Sequence, residues 1–343
     1  MRDIDRRTFL LSTGRWLALA ALAPTVSGCG RLLGWSDSQG RVADDAEISP
    51  DDGEATTAAG PGATDAPGSE TTTTLPTPDL AVIRGESPDL NVRAAVAQLG
   101  GMERFVKSGA KVVVKPNVLT GRPPEYAVCT NPIVIGTVVR MCLEAGAAQV
   151  TVLDHPTSSA RAAFQESGLT QATQEAGGTL KYLSNRNFET MEIPEGVAIK
   201  SWPFVTDVFE ADTFINVPIG KVHGLTGLTL AMKNLMGVMG GSRGRIHSHY
   251  AKKITDVNTL IKPDLVILDA YRVLTHNGPS GGRLKDVAMP KTCVAGTSQV
   301  AIDAYGCTIM GRQPTDLSSL VEASARGLGD IDLSHYRIYE GTA

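Results

Sequence analysis

Val112-Val113-Val114-Lys115-Pro116-Asn117, then Asn131-Pro132-Ile133-Val134-Ile135-Gly136-Thr137-Val138-Val139-Arg140-Met141-Cys142-Leu143-Glu144-Ala145-Gly146, then Gln149-Val150-Thr151-Val152-Leu153-Asp154, reads as strand, helix, strand. The first run is short, β-branched and closed by a proline, which suits a buried strand. In the second, Thr130 or Asn131 can cap a helix that has Pro132 in its first turn, and Gly146 supplies the stop. A third apolar run follows within three residues.

Outward from this unit the same alternation recurs. Strands are expected at 80–84, 111–114, 149–153, 213–217, 265–268 and 292–295, and helices at 90–99, 132–145, 158–166, 227–235, 251–261 and 300–310. Such alternation predicts an α/β fold, a mostly parallel sheet with helices on both faces. The stretch 181–210 is less regular: 188–193 and 197–202, separated by Pro194-Glu195-Gly196, suggest a small inserted antiparallel element. No repeat of 20 to 50 residues is visible. The α/β domain is expected to occupy 79–343.

The N-terminus reads differently. Asp5-Arg6-Arg7-Thr8-Phe9-Leu10 is a twin-arginine motif, followed by an apolar stretch over 16–23 that is far short of the roughly 20 residues a bilayer helix needs. Val26-Ser27-Gly28-Cys29 reads as a lipobox. Residues 1–28 are therefore expected to be a twin-arginine lipoprotein signal peptide, and Cys29 the site of lipidation. A plain secretory signal and an ordinary thiol at Cys29 are the competing readings. Residues 29–78 form a Thr/Pro/Gly-rich acidic tether, with nine acidic residues and only Arg41 as a base over 36–78. Lacking apolar periodicity, it builds no core, and as a coil it reaches about 35 Å. The expected location is the outer face of the cell membrane, with the export machinery and, through the lipid, the membrane as partners.

From 79 onward there are 26 Lys and Arg against 25 Asp and Glu, a balance that points to no nucleic-acid partner. Cys129, Cys142, Cys293 and Cys307 form no C-x-x-C pair, so a cysteine-bound zinc or iron–sulfur site is not supported. Cys142 falls in a helix pattern and Cys293 in a strand pattern, which makes both buried thiols.

Function is expected at the strand ends. Four apolar runs deliver Lys115-Pro116-Asn117, Asp154-His155, Lys221-Val222-His223 (after Pro218-Ile219-Gly220) and Asp269. If the strands are parallel, these groups gather on one edge, where open α/β sheets bind ligands. The densest segment is 220–249. Thr226 can cap a helix starting at Gly227 and leave a backbone anion site at its N-terminus, with Lys233 and Asn234 one to two turns further on. Gly240-Gly241-Ser242-Arg243-Gly244-Arg245 is a glycine-rich loop whose arginines suit phosphate or carboxylate, although no G-x-G-x-x-G or Walker spacing is present. His247-Ser248-His249, if extended, offers two imidazoles to one metal. Asp303 lies near the start of the helix over 300–310.

Candidate catalytic residues are thus His223, Lys221 and Lys115. Candidate binding residues are Asn117, Lys233, Asn234, Arg245, Asp269 and Asp303. His247 with Asp154 is the candidate metal pair, and a metal ion is the one cofactor the residues suggest.

In order, Lys115-Pro116-Asn117, Lys221-Val222-His223, Lys233-Asn234-Leu235-Met236-Gly237, Ile246-His247, Pro263-Asp264-Leu265, Asn277-Gly278-Pro279 and Ala301-Ile302-Asp303 resemble the domain of unknown function 362 family over about 81–311. The resemblance implies little biochemistry. Some members carry a ferredoxin-like iron–sulfur module, whose C-x-x-C-x-x-C run is missing from this chain. The family pattern fits His247 better than His249, which weakens the two-imidazole reading. Two functions follow: an exported enzyme, redox or transfer, that binds an anionic substrate or cofactor in a Lys/His/Asn/Asp cleft, or an anion- or metal-binding protein without catalysis.

Overall fold

The computed structural model describes residues 76–343. The expected signal peptide, Cys29 and all but the last three residues of the expected tether lie outside the described residues. Residues 76–78 have no regular structure, and the fold begins where Asp79 N donates to Arg337 O.

The strands are β1 (Leu80–Arg84), β2 (Lys111–Pro116), β3 (Gln149–Asp154), β4 (Thr179–Tyr182), β5 (Phe188–Glu192), β6 (Ser201–Val205), β7 (Thr213–Val217), β8 (Ile219–His223), β9 (Gly227–Thr229), β10 (Leu265–Leu274), β11 (Val287–Ala288), β12 (Thr292–Gly296) and β13 (Ile338–Thr342). The helices are α1 (Pro88–Gln98), α2 (Pro132–Glu144), α3 (Ala160–Glu166), α4 (Leu169–Glu175), α5 (Asp207–Glu210), α6 (Ala231–Asn234), α7 (Tyr250–Leu260), α8 (Gln299–Ile309) and α9 (Ser318–Ala325).

The main sheet runs β13-β1-β12-β10-β7-β2-β3-β4. From β10 to β4 every neighbouring pair is parallel, and β12 is the antiparallel exception between β1 and β10. The α/β class and the mostly parallel sheet are as the sequence predicts. Helix α2 starts and stops as read: the Asn131 side chain accepts from Ile133 N at 3.0 Å, and Gly146 follows with φ 91°.

Alternation along the strands splits the core between the two faces. Val112, Val114, Val150, Val152, Ile215 and Val217 pack on one side beneath α1 and α2. Val113, Leu153 and Phe214 pack on the other, with residues of β5, β6 and α7. Burial contributes roughly 1.5–3 kcal/mol per large apolar side chain, and it acts on both faces of the sheet at once. The ribbon β5–β6 is the small antiparallel element expected in 181–210, although its second strand lies later than 197–202. It braces the glycine-rich loop, because Gly240 N donates to Pro203 O at 2.8 Å and Trp202 Nε1 to Gly240 O at 3.0 Å.

One expected element is different. The helix over 227–235 is instead strand β9, paired with β8, followed by the short helix α6. Gly227 takes a φ of 76°, a left-handed turn that closes the hairpin, and Leu228 and Leu230 bury as alternating residues of an extended segment. Thr226 therefore caps no helix; its hydroxyl donates to Leu228 O. Among the described residues no helix is long and apolar enough to cross a membrane. All four cysteines described are free and buried, and burial raises the thiol of Cys142 to about 12.

Candidate active site

The parallel strands β2, β3 and β7 end at one edge, and there β8, α6 and the loop 240–247 close over a cavity of about 630 Å³. Lys115, Asn117, Asp154, Lys221, His223, Lys233, Asn234 and His247 all line it. The sequence places these eight on five separate segments; the shared strand direction brings the strand-end residues together, and α6 and the loop 240–247 add the rest.

At the floor, Lys115 is fully buried and donates to Pro116 O, Asn234 Oδ1 and, at 2.9 Å, Asp154 Oδ1. Asp154 also accepts the main-chain N–H groups of His155 and Val118, so both of its oxygens are occupied. Gly237 lies directly above this pair. A Cβ there would collide with Asp154 Oδ1 and come within 2.5 Å of Lys115 Nζ, so only glycine fits.

A line of amides then fixes the floor. Lys221 Nζ donates to Val128 O and, at 2.7 Å, to Asn117 Oδ1. Asn117 Nδ2 donates to Asn234 Oδ1 (2.9 Å), Asn234 Nδ2 to Asn216 Oδ1 (2.7 Å), and Asn216 Nδ2 to Gln299 Oε1 (2.9 Å). Each carboxamide gives its N–H to the next oxygen, so their orientations are set together. Burial pushes Lys221 down to about 8.

Two imidazoles form the wall. The rings of His223 and His247 stack at 5.4 Å, and His247 stacks on Tyr250 at 6.3 Å. His223 Nδ1 accepts from Leu225 N at 3.2 Å, which leaves its proton on Nε2. His247 Nδ1 lies 3.2 Å from Gly244 O, a carbonyl that can only accept, so Nδ1 carries the proton and Nε2 is the acceptor. That Nε2 is buried and has no hydrogen-bond partner among the described residues. Burial, the largest cause, together with the neighbouring basic groups, pushes His223 down to about 3, so it stays neutral. The wall thus presents one N–H donor and one nitrogen lone pair. Arg243 adds a cation, its guanidinium tied to Met236 O and Pro156 O at 3.1 Å each.

Three candidates lie outside the cavity. Asp269 follows Leu265 and Ile267 on the face covered by α2, because β10 runs on to Leu274 instead of ending at 268; its carboxylate accepts from Asn131 N and Tyr271 N. Asp303 accepts from Ala231 N (2.6 Å) and Met232 N (3.0 Å), so it occupies the N-terminus of α6; the anion site expected at a helix start at Gly227 has no such helix to form it. Arg245 is exposed. The segment 243–247 is a 3-10 turn and His249 sits at φ 55°, so 247–249 is not extended and His249 is away from the cavity. Among the described residues no group of three or more His, Cys, Asp or Glu is arranged to hold a metal ion.

His155, Arg243, Met236 and Ser280 also line the cavity but were not selected from sequence. His155 directly follows Asp154, and Arg243 belongs to the glycine-rich loop, so a signal existed for both.

A parallel α/β sheet whose strands end on a cationic, partly closed cavity defines an α/β protein with a ligand site at the usual edge. The chain belongs to the family described as a domain of unknown function (DUF362), whose profile matches residues 112–308. Among its relatives is the thylakoid-associated protein sll1697 of Synechocystis, 26% identical over 246 residues that cover 69% of this chain and 74% of that protein. Two solved structures are similar at lower levels. One is a Thermotoga maritima protein (15% identity, TM-score 0.36, 52% of this chain and 50% of that one). The other is the lactate racemase apoprotein from Thermoanaerobacterium thermosaccharolyticum (11% identity, TM-score 0.41, 66% of this chain and 56% of that one). This chain thus spans about half the length of the two solved chains.

Proposed function

We propose that this protein is an enzyme that binds a small anionic substrate in the Lys/His/Asn cavity and moves protons on it, and that it works outside the cytoplasm, anchored through Cys29. The observation that carries the reading is a charge imbalance. Lys221 and Arg243 line the cavity with no carboxylate of their own, because Asp154, the one carboxylate among its described lining residues, is already committed to Lys115. Cations gathered in a partly dry space without counter-charge are destabilising, and a bound anion offsets that. The donor on His223 and the free lone pair on His247 favour turnover over simple holding. Location rests on Arg6, Arg7 and the lipobox before Cys29.

Calorimetry on the full-length protein with inorganic phosphate and with malonate at pH 7 tests the site. Binding of at least one is expected, weakened roughly 10- to 100-fold in Lys221→Met, since a charge-assisted hydrogen bond contributes about 1.5–3 kcal/mol. Absence of binding by both anions would sink the reading.

A further inference from the structure

Three lysines reach the cavity, and their surroundings differ. Lys115 Nζ has three oxygen acceptors and Lys221 Nζ has two. Lys233 is only 9% exposed, and no oxygen accepts from it among the described residues; its contacts are Met236 Sδ at 3.6 Å and the Tyr250 ring, 5.8 Å to the centroid. A buried ammonium whose partners within the described residues are a thioether sulfur and an aromatic face is disfavoured, whereas a neutral amine tolerates the same site. The neutral amine carries a lone pair and opens on the cavity, beside the cations Lys221 and Arg243 whose charges act on it.

We infer that Lys233 is a nucleophile that forms an imine with the carbonyl carbon of a small 2-oxo acid, whose carboxylate is held by Lys221 and Arg243. The inference deepens the anion-binding reading and rests on it. A carboxylate bonded directly to a carbonyl puts charge and electrophile on adjacent atoms, which matches cations set beside an uncharged amine. His223 Nε2–H is available to hydrogen-bond the carbonyl oxygen, and His247 Nε2 to accept a proton. A lysine made nucleophilic by burial and neighbouring cations is a known route to this chemistry.

The step balances without a co-reactant. The Lys233 nitrogen pair forms the new C–N bond as the C=O π pair moves onto oxygen. His247 Nε2 takes one proton from nitrogen and passes it to that oxygen, giving the carbinolamine. The second N–H bond pair then becomes the C=N π bond as the C–O bond breaks. Its proton follows through His247, and oxygen leaves as water with both protons that began on the amine. The Lys233 Nζ=C imine remains, and nothing is oxidised or reduced.

The test is reductive trapping on the full-length protein at pH 7 with pyruvate or 2-oxobutyrate and cyanoborohydride, read by intact mass and peptide mapping, with phosphate and malonate calorimetry in parallel. The expected result is one adduct, on Lys233, suppressed by excess malonate and lost in Lys233→Arg. An adduct confined to other lysines, or persisting in Lys233→Arg, overturns the inference. Anion binding without any adduct overturns it too and leaves the anion reading standing, while absence of both removes the two together. If Lys233→Arg does not fold by circular dichroism, the wild-type peptide map decides alone.

Discussion

Replacing Lys233 with Met keeps an unbranched side chain of similar bulk and removes the amine that no oxygen accepts. Burial is the main cause, followed by the Lys221 and Arg243 charges, of a fall in the Lys233 value from the ordinary 10.5 to about 7. In the unfolded chain the lysine holds its proton up to the ordinary value. Between about 7 and 10.5, then, the unfolded state binds more protons than the folded one, and stability rises with pH across that window. Below about 7 both states are protonated and the penalty is constant. At about 1.4 kcal/mol per unit, charged Lys233 destabilises the fold by roughly 4 kcal/mol at pH 7 and about 1 kcal/mol at pH 9.5. Urea unfolding of the full-length protein and of Lys233→Met, followed by circular dichroism between pH 6 and 9.5, gives the difference curve. Groups that Lys233 does not act on titrate alike in both proteins and cancel from it. The variant is expected to be the more stable at pH 7, with the gap closing toward pH 9.5. A variant no more stable at pH 7, or a gap independent of pH, would refute the picture of an unpartnered buried amine.

Asp154→Ala leaves Lys115 charged and buried, and a loss of about 3–5 kcal/mol in urea unfolding is expected; the pair Lys115→Met with Asp154→Leu should recover much of it, and a single-variant loss below about 1 kcal/mol would mean that the ion pair is not buried as described. Burial holds the Asp303 carboxyl up at about 7 despite its two main-chain donors, so the folded state binds the extra proton between about 4 and 7 and stability falls as pH rises through that window. Asp303→Asn should flatten this part of the stability curve, and an unchanged slope would contradict it. Arg6→Lys with Arg7→Lys should leave precursor in the cytoplasm, and Cys29→Ala should release mature protein from the membrane fraction; fractionation of cells with immunodetection reads both, and normal export or persistent membrane association would count against the signal and the lipid respectively.

Several things were determined by sequence alone, because their causes are local. The β-branched run into Lys115-Pro116, the Asn131-Pro132 helix start and the Gly146 stop are nearest-neighbour effects, so the βαβ unit and the parallel sheet could be read directly. With strand direction known, Lys115, Asn117, Asp154 and Lys221 had to meet at one edge. What depended on distant partners was decided only by tertiary structure. Residues 227–229 became a strand because β8 offered an unpaired edge, and no helical propensity could report that. Asp269 stayed enclosed beneath α2 because β10 continued to Leu274 through pairing with β8 and β11. Asp303 met α6 across 72 residues of chain. Arg243, not Arg245, turned inward because carbonyls of Met236 and Pro156 were there to receive it. The lone amine of Lys233 and the free nitrogen of His247 are likewise tertiary facts: each is defined by the absence of a neighbour, and the sequence around a residue does not specify which distant groups fail to reach it.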